Sequence, residues 1–108
     1  MKMDYLEPDK APTREAVNRM AGLVLLEFGT GWCGFCRAAA PHVAALLRDN
    51  PAVRHVKVED GPGLPLGRSF RVRLWPNFVL LRDGAVVRQM ARPSANELKE
   101  AFAAFVAP

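Results

Sequence analysis

Cysteine and histidine are scarce in this chain of 108 residues, which contains two of each. Small secreted proteins that depend on disulfides carry several bridges, so two cysteines exclude that class and the fold must rest on a packed core. A zinc site needs four ligands, and neither His42 nor His55 has metal-ligand spacing to the two cysteines. We therefore expect no bound metal.

Long apolar runs are also missing. No run approaches the ~20 residues that a membrane-spanning helix requires, so no membrane partner is expected. The first residues, Met1 to Pro8, contain acidic side chains and a proline where a signal peptide needs an apolar stretch. This pattern leads us to expect a cytoplasmic protein.

Acidic residues are outnumbered, since 15 lysines and arginines stand against 11 aspartates and glutamates. The basic residues are scattered and no series of aromatic residues accompanies them, so nucleic-acid binding is not expected. One local cluster, Arg68, Arg71 and Arg73, has two interpretations. It is either a solvated face or the flank of an active groove that favours acidic substrate segments.

The two cysteines that are present stand together in the segment Cys33-Gly34-Phe35-Cys36. An apolar run typical of a buried strand precedes them, and an Ala-rich segment that predicts a helix follows, which is the setting of a redox dithiol. The dipoles at the start of that helix favour a thiolate on Cys33, and the thiolate is the species that attacks disulfides. A purely structural disulfide is the weaker interpretation, because so short a loop contributes little stability.

Periodicity and turn residues predict a mixed arrangement of strands and helices in one domain, residues 1–108. Two parallel strands joined by a helix form the first part, and an antiparallel hairpin completes the sheet. In chain order we predict an edge strand at 3–6, a helix at 12–22, a strand at 23–28, a helix at 34–49 kinked by Pro41, a strand at 53–58, a short helix at 66–70, hairpin strands at 77–81 and 85–90 around Asp83-Gly84, and a helix after the Ser94 capping box that ends near 106.

Several segments together resemble the thioredoxin family. They are the stretch from Glu27 to Cys36, Pro41 five residues after the second cysteine, Trp75-Pro76 ahead of the hairpin, and the capped last helix from Ser94. The resemblance covers roughly residues 13–106. It implies an α/β thioredoxin fold, with a central mixed sheet of four to five strands and helices on both faces.

The resemblance also implies thiol–disulfide exchange. Cys33 is then the nucleophile and Cys36 the resolving thiol, and the two form the Cys33–Cys36 disulfide in the oxidised state. Glu27 would help Cys36 lose its proton, although a Glu facing solvent at the edge of a strand remains the alternative. The implied partners are proteins that contain disulfides and an external reductant such as a thioredoxin reductase. A monomer without a bound cofactor is expected.

The same family comparison implies a substrate groove beside the sulfurs. Pro76 is predicted to follow a cis peptide bond, in a segment whose backbone pairs with the substrate chain. Trp75 either presents its backbone and ring to substrate or packs in the core. Trp32 is expected to pack beside the sulfurs and shield Cys36. The other predicted groove residues are Gly34, Phe35 and Ala91, the last with an ordinary surface alanine as an equal alternative.

Departures from the family pattern bear on the direction of the reaction. Phe35 stands where thioredoxins have proline, and in the family the loss of that proline tends to make the pair more oxidising. The expected cytoplasmic location favours a protein disulfide reductase instead. A disulfide oxidase or isomerase stays open, and so does a docking module with little turnover, in which Phe35 and Trp75 form an apolar patch.

Overall fold

A four-stranded sheet organises the computed structural model, which describes residues 5–108. The order of its strands is β2-β1-β3-β4. Strand β1 runs parallel to β2 and antiparallel to β3, and β4 returns antiparallel beside β3. The bounds are β1 (Leu23–Gly29), β2 (Arg54–Glu59), β3 (Asn77–Arg82) and β4 (Ala85–Ala91). The mixed sheet predicted from the sequence is confirmed.

Helices cover both faces of the sheet, as predicted. Val24 to Gly29 of β1 are all buried, because alternate side chains of a central strand point into opposite layers. One layer packs against α1 and α3, and the other against α2 and α4. Among residues 5–108 no helix has the length and apolarity needed to cross a membrane. The helices are α1 (Arg14–Asn18), α2 (Gly34–Asp49), α3 (Pro65–Ser69) and α4 (Ala95–Val106).

The first helix is shorter than the predicted 12–22. It starts as expected, since the Thr13 side chain accepts a hydrogen bond from the backbone N–H of Ala16. Its end differs because the following turn is tied to the β3–β4 hairpin: the backbone N–H of Gly22 donates to Asp83 Oδ1 at 2.8 Å, and the N–H of Asp83 donates to Gly22 O at 2.9 Å. These contacts hold Gly22 in a left-handed conformation and direct the chain into β1.

The predicted edge strand at 3–6 lies mostly outside the described residues. Within the described part, Leu6 makes a single parallel bridge to Val58 of β2. The N–H of Leu6 donates to Lys57 O at 2.7 Å, and the N–H of Glu59 donates to Leu6 O at 2.9 Å. This bridge fixes the neighbouring Tyr5 beside the carboxyl end of β1.

Three pieces of backbone meet at that end of the sheet. Strand β1 finishes at Gly29, α2 begins at Gly34, and β3 starts directly after the peptide bond between Trp75 and Pro76, which is cis as predicted. The antiparallel register that pairs Phe28 with Asn77 brings the end of β1 and the start of β3 together. The active-site candidates therefore converge from segments that lie far apart in the sequence.

Candidate active site

Cys33 occupies the N-cap of α2. Its Sγ accepts a hydrogen bond from the backbone N–H of Cys36 at 3.2 Å, which ties the sulfur to the positive end of a 16-residue helix. The residue is 7% exposed, and both cysteines are free thiols. A sulfur that receives a backbone N–H at the start of a helix is placed as the attacking sulfur of thiol–disulfide exchange.

Cys36 lies one turn further along α2 and is completely buried. Burial raises the pKa of its thiol from 9.0 to about 11, and the hydrogen bond and charge of Cys33 act in the same direction. The backbone N–H of Thr30 and the hydroxyl of Tyr5 oppose the rise in pKa. The inner thiol is thus held protonated while Cys33 is free beside it.

Gly29 allows these groups to approach one another. A Cβ at this position would lie 2.6 Å from Cys36 Sγ and 2.8 Å from the Tyr5 hydroxyl, so no larger residue fits. The sequence singled out Cys36 but gave no role to Gly29 or Tyr5. A glycine at the end of a buried strand was the available signal, because such a glycine often marks a close approach.

Glu27 is 1% exposed, which excludes the alternative of a solvent-facing side chain. Its Oε1 lies 2.8 Å from Nε2 of His55 on the adjacent strand β2. The described contacts include no hydrogen bond between Glu27 and Cys36, so the proton-transfer role assigned from the sequence stays a prediction. His55, for which sequence analysis found no role, proves to be the partner of the buried carboxyl.

Trp32 lies at the surface beside Trp75. Its side chain is 73% exposed and meets Trp75 edge-on, with 5.7 Å between the ring centroids. The described contacts include none between Trp32 and Cys36, so the expectation that Trp32 shields Cys36 stays a prediction, while Gly29, Tyr5 and Thr30 lie near that sulfur. The Trp32 ring is thus an exposed aromatic surface beside Trp75.

Of the two alternatives for Trp75, packing in the core is observed, and contact with substrate stays a prediction. Its ring is partly buried against the core layer of α1 and α3, and its Nε1–H donates to Asp60 Oδ2 at 2.9 Å. Its other side meets Trp32 at the groove. Burial and the hydrogen bond to Asp60 thus fix the orientation of a ring that also faces the solvent-exposed site.

Arg92 links the two sides of the groove and was missed in the sequence. Its guanidinium carbon lies 3.8 Å from the centroid of the Phe35 ring, and its Nε–H donates to the carbonyl oxygen of Trp75 at 2.8 Å. Its backbone N–H donates to Pro76 O at 2.8 Å. Phe35 itself is 57% exposed. An arginine stacked on the variant residue of the C-x-x-C therefore gives this groove a positive charge.

The predicted roles of Ala91 and Gly34 in the groove stay predictions. Ala91 is exposed at the end of β4 and pairs with Asn77 beside the cis peptide. Gly34 is exposed at the first turn of α2, and an added Cβ would meet nothing within 4 Å. Gly34 is therefore not required by packing.

Arg71 and Arg73 are exposed in the segment that leads to Trp75.

A dithiol at the start of a helix, together with a cis-proline directly before β3 of a mixed sheet, defines a thiol–disulfide oxidoreductase of the thioredoxin fold. The family model described as Thioredoxin matches residues 6–106. The chain belongs to the thioredoxin family, and it is a protein disulfide reductase.

Known relatives support the assignment over most of the chain. Thioredoxin 2 from Pseudomonas aeruginosa PAO1, solved in its reduced form, is 54% identical with a TM-score of 0.84, and the match covers 98% of this chain and 97% of that one. A thioredoxin H-type of Ricinus communis is 29% identical over 90 residues, 83% of this chain and 76% of the relative. The thioredoxin of Fasciola hepatica is 28% identical with a TM-score of 0.73, covering 84% and 88% of the two chains.

Proposed function

We propose that Cys33 and Cys36 carry out the reduction of protein disulfides in two steps. The Cys33 thiolate attacks one sulfur of the substrate disulfide, forms a mixed disulfide and releases the other sulfur as a thiolate. The Cys36 thiolate then attacks Cys33 Sγ, so the Cys33–Cys36 disulfide forms and the second substrate thiolate leaves. The two electrons come from the dithiol, and an external reductant such as a thioredoxin reductase restores it.

The different surroundings of the two sulfurs carry this proposal. Cys33 keeps a small exposed fraction of 7% and receives the N–H of Cys36, whereas Cys36 is completely buried and its pKa is raised to about 11. Once Cys33 is part of a mixed disulfide, its thiol and its charge no longer raise the pKa of Cys36. The inner sulfur therefore becomes easier to ionise at the stage when it has to attack.

Glu27 is proposed to accept the proton that Cys36 gives up. It is a buried carboxyl on the strand that ends at Gly29, and its charge acts on Tyr5, whose hydroxyl also faces Cys36. Its contact with His55 at 2.8 Å supplies a second titratable group on the path to solvent, because the His55 side chain is 26% exposed. The proton finally joins one of the two thiolates released from the substrate.

The substrate segment is proposed to lie across the groove between α2 and the cis-proline segment. The exposed side chains of Trp32, Phe35 and Leu74 would supply apolar contact area to that segment. Among residues 5–108, the Arg92 guanidinium donates only its Nε–H, to the carbonyl oxygen of Trp75, so we propose that its outer N–H groups bind an acidic side chain. We propose a preference for acidic residues next to the substrate disulfide.

The cytoplasmic location and the monomeric state stay predictions.

Insulin reduction with dithiothreitol tests the reaction, with Cys33→Ser and Cys36→Ser as matched controls. The parent chain is expected to precipitate the insulin B chain, and both variants are expected to lose turnover.

The reduction potential of the cysteine pair decides whether it reduces or oxidises its substrates. A value of about −270 mV, as in thioredoxin, supports a reductase, whereas a value of about −120 mV would overturn the reductase in favour of an oxidase. Absence of turnover would leave a docking module.

The charge preference has its own test. Peptide disulfides that differ only in an Asp or a Lys next to the cysteine are compared by kcat/KM in the parent and in Arg92→Ala. We expect the parent to favour the Asp peptide and the variant to lose that preference. An unchanged ratio would exclude Arg92 as the residue that selects substrates.

A further inference from the structure

The Tyr5 hydroxyl is a buried polar group that the reaction above does not use. We propose that it donates a hydrogen bond to the sulfur of Cys36 as that sulfur becomes a thiolate, and so accelerates the second step. The inference rests on the proposed roles of Cys33 and Cys36. It adds a residue to the resolving step from a segment that lies outside the C-x-x-C and the cis-proline loop.

Geometry places the hydroxyl against the resolving sulfur. The Tyr5 hydroxyl and Cys36 Sγ both lie within 3 Å of the point that a Cβ of Gly29 would occupy, at 2.8 Å and 2.6 Å respectively. The two atoms therefore share one small space, which exists because position 29 has no side chain. Any larger residue there would separate them or displace one of them.

The hydroxyl has no other partner among the described residues. It is fully buried, and its present geometry does not complete a hydrogen bond, although it is close enough to Cys36 to oppose the rise in the pKa of that thiol. A buried hydroxyl without a partner costs free energy. A neutral thiol is a weak acceptor, whereas a thiolate is a strong one, so the missing bond is completed when Cys36 ionises.

The surroundings of Tyr5 keep it in place and keep its proton on it. The backbone bridge of Leu6 to β2 anchors the segment, and the Lys57 ammonium lies 4.4 Å from the centre of the Tyr5 ring. Burial, followed by the charges of Glu27 and the two cysteines, raises the pKa of Tyr5 far above its ordinary range. The hydroxyl therefore remains a donor throughout the pH range in which the enzyme can work.

The test separates the two chemical steps with the aromatic disulfide 5,5′-dithiobis(2-nitrobenzoate). Attack by Cys33 releases one thionitrobenzoate and leaves the other in a mixed disulfide, and attack by Cys36 releases the second. The first phase depends on reagent concentration and the second does not. In Tyr5→Phe, which keeps the ring, we expect an unchanged first phase and a second phase about tenfold slower, with its pH profile moved upward.

Leu6→Ala is the matched control, because it alters the same anchored segment and keeps the hydroxyl. Its second phase is expected to equal that of the parent, and a slowing as large as in Tyr5→Phe would overturn the proposal. So would a Tyr5→Phe second phase within twofold of the parent at every pH. If the parent itself released no second thionitrobenzoate, the proposed two-step reaction would fail instead, so the two failures are distinguishable.

A second measurement avoids any loss of side-chain atoms. Tyr5 is the only tyrosine in the chain, so growth on a fluorotyrosine replaces this residue alone. Ring fluorine makes the hydroxyl a stronger donor, and we expect a faster second phase with an unchanged first phase. A second phase that does not respond to fluorination would contradict the proposed hydrogen bond.

Discussion

The buried thiol of Cys36 should make the stability of the reduced chain depend on alkaline pH. Burial, assisted by Cys33, raises its pKa from 9.0 to about 11 in the folded protein, and unfolding returns the thiol to water. A thiol whose pKa is raised by folding stabilises the folded state fully below pH 9.0, and that contribution is lost as the pH rises through about 11. A hundredfold change in proton affinity corresponds to about 2.7 kcal/mol of lost stability.

A loss of that size is a large fraction of the stability of a small domain, which is about 5–15 kcal/mol, so it is measurable. Urea unfolding of the reduced chain would be followed without oxygen from about pH 8 to 11. The variant Cys36→Ala is the matched control, because it retains Cys33 and Tyr5 and lacks only the buried thiol. The quantity to compare is the free energy of unfolding of the parent minus that of the variant.

The expected result is a difference that is constant near pH 8 and falls by about 2–3 kcal/mol toward pH 11. The sign is fixed, because the folded state binds the Cys36 proton more tightly than the unfolded state. A difference that stays within about 0.5 kcal/mol over the whole range would refute the reasoning, since burial would then impose no cost on the Cys36 thiolate. A rising difference would refute it as well.

Other substitutions test the packing around the site. Gly29→Ala places a methyl group 2.6 Å from Cys36 Sγ, and we expect urea unfolding to show a loss of about 1–3 kcal/mol; full stability would contradict the close approach. His55→Ala leaves the carboxyl of Glu27 buried without its partner, so we expect it to be more destabilising than Glu27→Leu, and the reverse order would contradict the pairing. Ser94→Ala removes one half of the capping box of α4 and should cost about 1 kcal/mol, seen as a lower melting temperature; an unchanged temperature would contradict it.

Features decided by neighbouring residues were predictable from the sequence. The start of α2 at the C-x-x-C, the turn at Asp83-Gly84 and the capping box at Ser94 appear where the patterns indicated. Each depends on backbone preferences or hydrogen bonds within a few positions. The cis bond before Pro76 came from the family resemblance, because the cis form is too uncommon to be predicted from local preferences alone.

Contacts between distant segments were not predictable in the same way. Glu27 left two alternatives open because the residues around it are apolar on both faces of the strand. Its pairing with His55 depends on the register of β1 and β2, which aligns Leu25 with His55 and is set by packing of the whole sheet. The edge-on contact of Trp32 with Trp75 was not predictable for a related reason, since the loop around Trp32 does not determine which way its ring points.

Contacts between distant segments also decide the chemistry of the Cys36 sulfur. The motif identifies Cys36 as the second cysteine, but its pKa depends first on burial and then on contacts that include Thr30 and Tyr5, which come from a loop and from the segment before the Leu6 bridge. Burial and the neighbouring Cys33 together hold Cys36 protonated, and conversion of Cys33 to a mixed disulfide removes the contribution of Cys33. The order of the two steps is therefore a property of the fold around Cys36, whereas the C-x-x-C spacing supplies only the two sulfurs.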